Sequence, residues 1–143
     1  MSTLTTNYLT PTGREEAWRF TPLKRLGGLH NGTFKLATRN TLALTGNAPA
    51  GVTFERIGRE LVSAESATDD VIVGRIHEAA TEVNVLKIAA NTELAEPIAL
   101  HRLAGGLTDA ELSRVQIRIG ANAKATLIIE NTGDHLIAED IEI

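Results

Sequence analysis

This sequence predicts a mainly β chain with a short helical N-terminal region, and three observations carry that expectation. Residues 83–143 hold five short apolar segments, several alternating apolar with polar residues as a half-buried strand does. The links between them are rich in Asn and Gly, the residues that turns demand. Helix start and stop signals cluster before residue 30, where the chain reads Thr12-Gly-Arg-Glu-Glu-Ala-Trp-Arg-Phe-Thr-Pro-Leu-Lys-Arg-Leu-Gly-Gly28.

Residues 1–12 are polar and Thr-rich, and are expected to form a poorly ordered leader. Thr12 and Glu15 then stand at capping-box spacing, which starts a short helix over about 13–20. Pro22 biases Thr21 away from helical angles, so the helix stops there. The signals restart at once, with Thr21 as cap, Pro22 at the favoured first position and Gly27 as a left-handed stop. Leu36–Leu44 and Val52–Ile57 read as short strands or extended connections between turns, and Asn31-Gly-Thr33 as a turn. Ile72, Ile76, Ala79, Ala80 and Val83 recur near helical spacing after a cap at Asp69 or Asp70. This favours a helix although Val71-Ile72-Val73 is β-branched. Residues 13–82 thus form an N-terminal region of short helices and strands. Residues 83–143 form a strand-rich core, with strands at Val83–Ala89, Ile98–Leu103, Arg114–Ile119, Ala125–Glu130 and Leu136–Ile143. Val115, Ile117 and Ile119 should face one way, Gln116 and Arg118 the other. Strand starts roughly 11–16 residues apart suit antiparallel hairpins or the coils of a β-helix, and periodicity does not separate the two. The chain stops inside an alternating strand, Asp140-Ile-Glu-Ile143. That is the pattern of a truncated core, or of an edge paired in an oligomer.

Composition narrows function by exclusion. A 43% hydrophobic share over 143 residues supports a buried core, yet no apolar run approaches the roughly 20 residues that cross a bilayer. No secretory signal opens the chain, which makes a cytoplasmic location the expectation. Without cysteine the chain makes no disulfide and no thiolate-ligated metal or cluster by itself. Residues 1–60 carry eight Lys and Arg against four Asp and Glu, whereas residues 61–143 carry six against fourteen. The acidic part opposes nucleic acid, whose affinity rests on phosphate contacts. The basic part, with Arg14, Arg19, Lys24 and Arg25 around Trp18 and Phe20, is either a solvated leader face or an interaction surface.

No phosphate loop, dinucleotide fingerprint, nucleophile elbow or zinc-protease helix occurs. None of the four serines has a nearby histidine. His30, His77, His101 and His135 lie at least 24 residues apart, too far to share one helix face. His101 and His135 read as hydrogen-bonded structural histidines. Asp69-Asp70 and Glu139-Asp140 read as solvated turns or strand ends, because strand neighbours point to opposite faces. No catalytic, cofactor-binding or metal-binding residue is assigned, and no cofactor is expected in this segment. A β-helical carbohydrate-active or acyl-transfer enzyme would need convergent carboxylates on one β-face, and no such cluster shows in the sequence.

Glu15-Glu-Ala-Trp18-Arg-Phe20-Thr-Pro22-Leu-Lys-Arg-Leu26 resembles the E-x-W-[RK]-[YF]-T-x-L stretch near the start of SufB/SufD-family proteins, and its Pro-Leu is closer to the SufD branch. Val85–Ile98, with Pro97-Ile98 opening a strand, and Arg114–Thr126, with Gly120-Ala-Asn122-Ala123 between strands, are similar to two further steps of that family in the same order. The resemblance implies a helical N-terminal region followed by an incomplete parallel β-helix. It implies a non-catalytic scaffold subunit of the Suf iron–sulfur cluster assembly machinery, with a SufB-like partner subunit and the Suf ATPase subunit as partners. Those contacts would lie mostly outside this segment, and a homodimer is the further expectation for a short core. The family's cluster-related Cys and His positions lie beyond this chain, so none transfers to His101 or His135. A standalone β-rich interaction module is the rival reading. In either, Trp18 and Phe20 are expected to anchor the leader by burial, a large aromatic contributing about 3 kcal/mol.

Overall fold

The computed structural model describes residues 8–37, 39–62, 68–104 and 109–143. The first seven residues of the expected leader and the Gly105-Gly106 link lie outside them.

The leader region forms two short 3-10 turns, Glu16–Trp18 and Leu23–Arg25, separated at Thr21-Pro22 as the sequence predicts. Glu15 supplies half of the expected capping box, its carboxylate accepting from the N–H and hydroxyl of Thr12 at 3.0 Å and from Gly13 N–H at 2.9 Å. Thr21 makes no side-chain cap: Pro22 itself occupies the cap position of the second turn. Gly27 ends that turn at φ 58°. The expected anchoring holds only in part. Trp18 is half-buried, but Phe20 is 87% exposed, with the Arg19 guanidinium 5.4 Å from its ring centroid. Turns this short present too little surface to bury both rings. Asn31-Gly-Thr33 is the expected turn, Asn31 Oδ1 accepting from the Thr33 N–H and hydroxyl.

Among the described residues seven strands follow: β1 (Leu42–Leu44), β2 (Val52–Gly58), β3 (Glu82–Ile88), β4 (Ile98–Ala104), β5 (Glu111–Ile119), β6 (Leu127–Gly133) and β7 (Ile137–Glu142). They build two mixed sheets, ordered β1-β4-β6 and β2-β3-β5-β7. From β3 onward the chain alternates between the sheets, and each strand stacks in parallel on the one two elements earlier. Partners Asn84 and Val115, Ile98 and Leu127, Glu111 and Ile137 lie 31, 29 and 26 residues apart. β1 and β2 cover the opposite edges in antiparallel register. The turns stack as well. Asn91 and Asn122 share the left-handed conformation at φ 60° and 59°, and Asn122 Nδ2 donates to Asn91 Oδ1 at 3.3 Å. Gly120 is required beneath them, since a Cβ there would collide with the backbone of Ala90.

Leu42, Val52, Leu86, Ile88, Ile98, Leu100, Val115 and Ile117 interlock between the sheets as the main core. The outer face of the larger sheet is covered by α1 (Val71–Ala79), capped as expected by Asp70, whose Oδ1 accepts from Ile72 and Val73 N–H at 2.8 and 3.0 Å. Ile76, Ala80, Leu29, Ala110 and Ala138 fill that second core. The cap and this apolar stripe outweigh the β preference of Val71-Ile72-Val73.

Three strand expectations change. Only Leu42–Leu44 of Leu36–Leu44 is a strand, with Leu36 bridging Ala110 in isolation. β5 starts at Glu111, three residues early, because its first inward positions are polar and break the apolar alternation. β6 runs through Asn131-Thr-Gly133, which was expected to turn, because those residues pair with Arg102, Leu103 and Ala104. Along β5, Val115 and Ile117 enter the core, whereas Ile119 at the strand end is 53% exposed.

Candidate functional site

One end of the space between the sheets is apolar; the other is ionic. Strand alternation turns Arg102, Glu111, Ser113, Asn131 and Glu139 inward beside Asn84. Arg102 is fully buried and its fork is bonded throughout. Nε donates to Glu111 Oε1 at 3.1 Å, Nη1 to Asn131 Oδ1 at 2.9 Å, and Nη2 to Ser113 Oγ at 3.0 Å and Glu139 Oε2 at 2.6 Å. Glu111, only 1% exposed, also accepts from Thr41 N–H at 2.7 Å and from the Thr41 hydroxyl at 2.8 Å. His135 Nε2 lies 3.2 Å from Glu111 Oε2 and donates to it. Burial alone would raise the carboxyl pKa of Glu111, but the Thr41 bonds, then Arg102 and His135, outweigh it and hold the pKa below the ordinary value. The arrangement is a brace: one guanidinium ties β4 to β5, β6 and β7, and one carboxylate ties in the segment before β1 and the turn before β7.

The sequence-derived candidates separate cleanly. His101 Nδ1 meets the Thr45 hydroxyl at 2.7 Å, and His135 joins the brace, so both are hydrogen-bonded as expected. Asp70 is the helix cap. Glu139 and Asp140 point to opposite faces as strand neighbours should, but neither is a free strand end. Glu139 reaches Arg102, and Asp140 Oδ2 lies 2.6 Å from His77 Nε2 on α1. The convergent carboxylates that the sequence did not reveal are thus Glu111 and Glu139, both bonded to Arg102. Arg102, Glu111, Ser113, Asn84 and Thr41 were missed as a group. The available signal was a polar residue at each of the first two inward positions of β5, Glu111 and Ser113, which reads as a broken strand unless its partners are known.

Two surfaces stand exposed among the described residues. β6 and β7 each have a strand on one side only among the described residues. Ile128 and Ile141 on these strands are 48% and 41% exposed. The leader presents Arg14, Arg19, Lys24 and Arg25, all exposed, around Phe20. No protein-family model matches the chain. Curated relatives do. It is 24% identical over 132 residues to proteins of Mycobacterium bovis and Mycobacterium tuberculosis H37Rv, both named iron–sulfur cluster assembly SufBD family proteins. The Mycobacterium leprae protein of the same name is 25% identical over 134 residues. The chain is similar to SufBD-family proteins. The similarity covers 92% of this chain and 33–34% of each SufBD relative, so the chain spans about a third of their length. It therefore runs through both the leader and the stacked strands, agreeing with the resemblance first read from Glu15–Leu26. Among the described residues, no helix is long and apolar enough to cross a membrane.

Proposed function

We propose that the chain is part of a SufD-type SufB/SufD scaffold subunit that acts without catalysis in iron–sulfur cluster assembly. The observation that carries this is similarity along 92% of the chain to proteins named for that process. The parallel stacking of β3, β5 and β7 and of β4 and β6, at offsets near 30 residues, supports reading the core as the coils of a parallel β-helix. The Asn91–Asn122 pair is the side-chain ladder such coils carry at a repeated turn. Stacked coils depend on their neighbours, so the one-sided edges of β6 and β7 suit a subunit that pairs there. The cluster itself is cargo. With no cysteine, this chain offers it no thiolate, and its own contribution is rigid framework held by Arg102.

The partners on this reading are a SufB-like subunit and the Suf ATPase subunit, met in the cytoplasm. Affinity purification of the full-length gene product should bring down both; a clean failure to recover either overturns the assignment. The exposed Phe20 and the four cations around it favour a second reading, an interaction module for an acidic partner. Charge reversal at Arg19 and Lys24 that abolishes all partner capture, with the core still folded, would favour that reading over the coils.

A further inference from the structure

A second polar cluster lies on the outer face of the larger sheet, away from the brace. Asp140 and Glu142 are two residues apart on β7 and so share one face. His77, in the last turn of α1, stands over them. One donor atom from each of the three lies within 4.8 Å of the others. Their side chains are sheltered but reachable, at 8%, 19% and 28% exposure for His77, Asp140 and Glu142. Glu142 is oriented from behind: Gln116 Nε2 donates to its Oε2 at 2.9 Å, and Arg114 Nη2 approaches both oxygens at 3.3–3.4 Å.

The geometry points to a divalent transition-metal site formed by His77, Asp140 and Glu142. One imidazole and two carboxylates on two packed elements form a donor set suited to Zn2+ or Fe2+, with solvent completing the shell. Ligand atoms about 2.1 Å from a tetrahedral ion stand about 3.4 Å apart, so His77 and Asp140 need part by under about 1 Å while Glu142 closes in. Gln116 and Arg114 are positioning residues, holding the carboxylate as outer partners of metal ligands do. Arg114 also sets a limit: its positive charge beside Glu142 favours moderate over tight binding. The site is independent of the assembly role, which rests on the relatives.

Zn2+ titration of the full chain by calorimetry, with Co2+ absorption as a second probe, tests it. One equivalent should bind, and the melting temperature should rise with Zn2+. His77→Ala and Glu142→Gln should each weaken binding at least about tenfold, and Gln116→Ala by less. Glu142→Gln leaves the His77–Asp140 contact in place, so it reports on metal without unpinning the helix. No uptake by the folded wild-type chain, or equal uptake by His77→Ala and Glu142→Gln, would overturn the site and leave His77–Asp140 as a helix-to-sheet tie.

Discussion

Arg102 and Glu111 show what a single buried side chain decides. Removing one partner of such a pair strands the other charge, which costs about 3–5 kcal/mol, several times the worth of an exposed pair. Arg102→Met strands Glu111 and Glu139 together and should therefore lower stability by that order in urea denaturation at neutral pH. Glu111→Gln leaves Arg102 paired with Glu139 at 2.6 Å and should cost less, about 1–3 kcal/mol. Lys87→Ala, at a contact of 4.0 Å between half-exposed groups, should change it by under about 1 kcal/mol. The pH dependence has a defined sign. The Glu111 pKa is lowered in the folded chain, so its stabilisation is fully present above the ordinary value of 4.5. It is lost as pH falls through the folded pKa. Melting temperature followed from pH 7 downward should drop below about pH 4.5, and Glu111→Gln should flatten that drop. None of this was legible residue by residue: an isolated Glu or Arg in a strand reads as a solvent-facing charge until its cross-sheet neighbour is known.

At the scale of elements, local chemistry did much of the specifying. Asp70 capped α1 as predicted, and Asp70→Ala should cost about 1 kcal/mol, read from the denaturation midpoint. Asn91 and Asn122 marked turns in the sequence, and both adopt the left-handed conformation that Asn tolerates best. Asn122→Ala should cost about 1–2 kcal/mol through that backbone strain and the lost contact to Asn91, whereas Asn122→Gly should recover most of the loss. The misjudged boundaries share one cause. β5 began early and β6 ran late because polar residues that look like turn signals were recruited by Arg102 into inward strand positions. Phe20 failed in the opposite direction: an aromatic in a helical leader is expected to pack, but the turns around it are three residues each and leave it outside.

For the molecule as a whole, the two one-sided strands have a measurable consequence. Parallel edges with unpaired backbone groups and exposed Ile128 and Ile141 should make the isolated chain associate with itself, seen as a rise in sedimentation coefficient with concentration. A charged residue at Ile128 should reduce that association while sparing the core, because this side chain points away from it. By itself the sequence determined the mainly β class, six of the seven described strands to within three residues, the capped helix, the twin leader turns and a likeness to SufB/SufD proteins. These rest on alternation, capping and turn chemistry, which act within a few neighbouring residues. Only the tertiary structure decided that β3, β5 and β7 stack in parallel, that Arg102 gathers four strands, and that His77 meets Asp140. Those contacts join residues 9 to 63 positions apart, and a period of two along one strand does not say which strand will lie beside it.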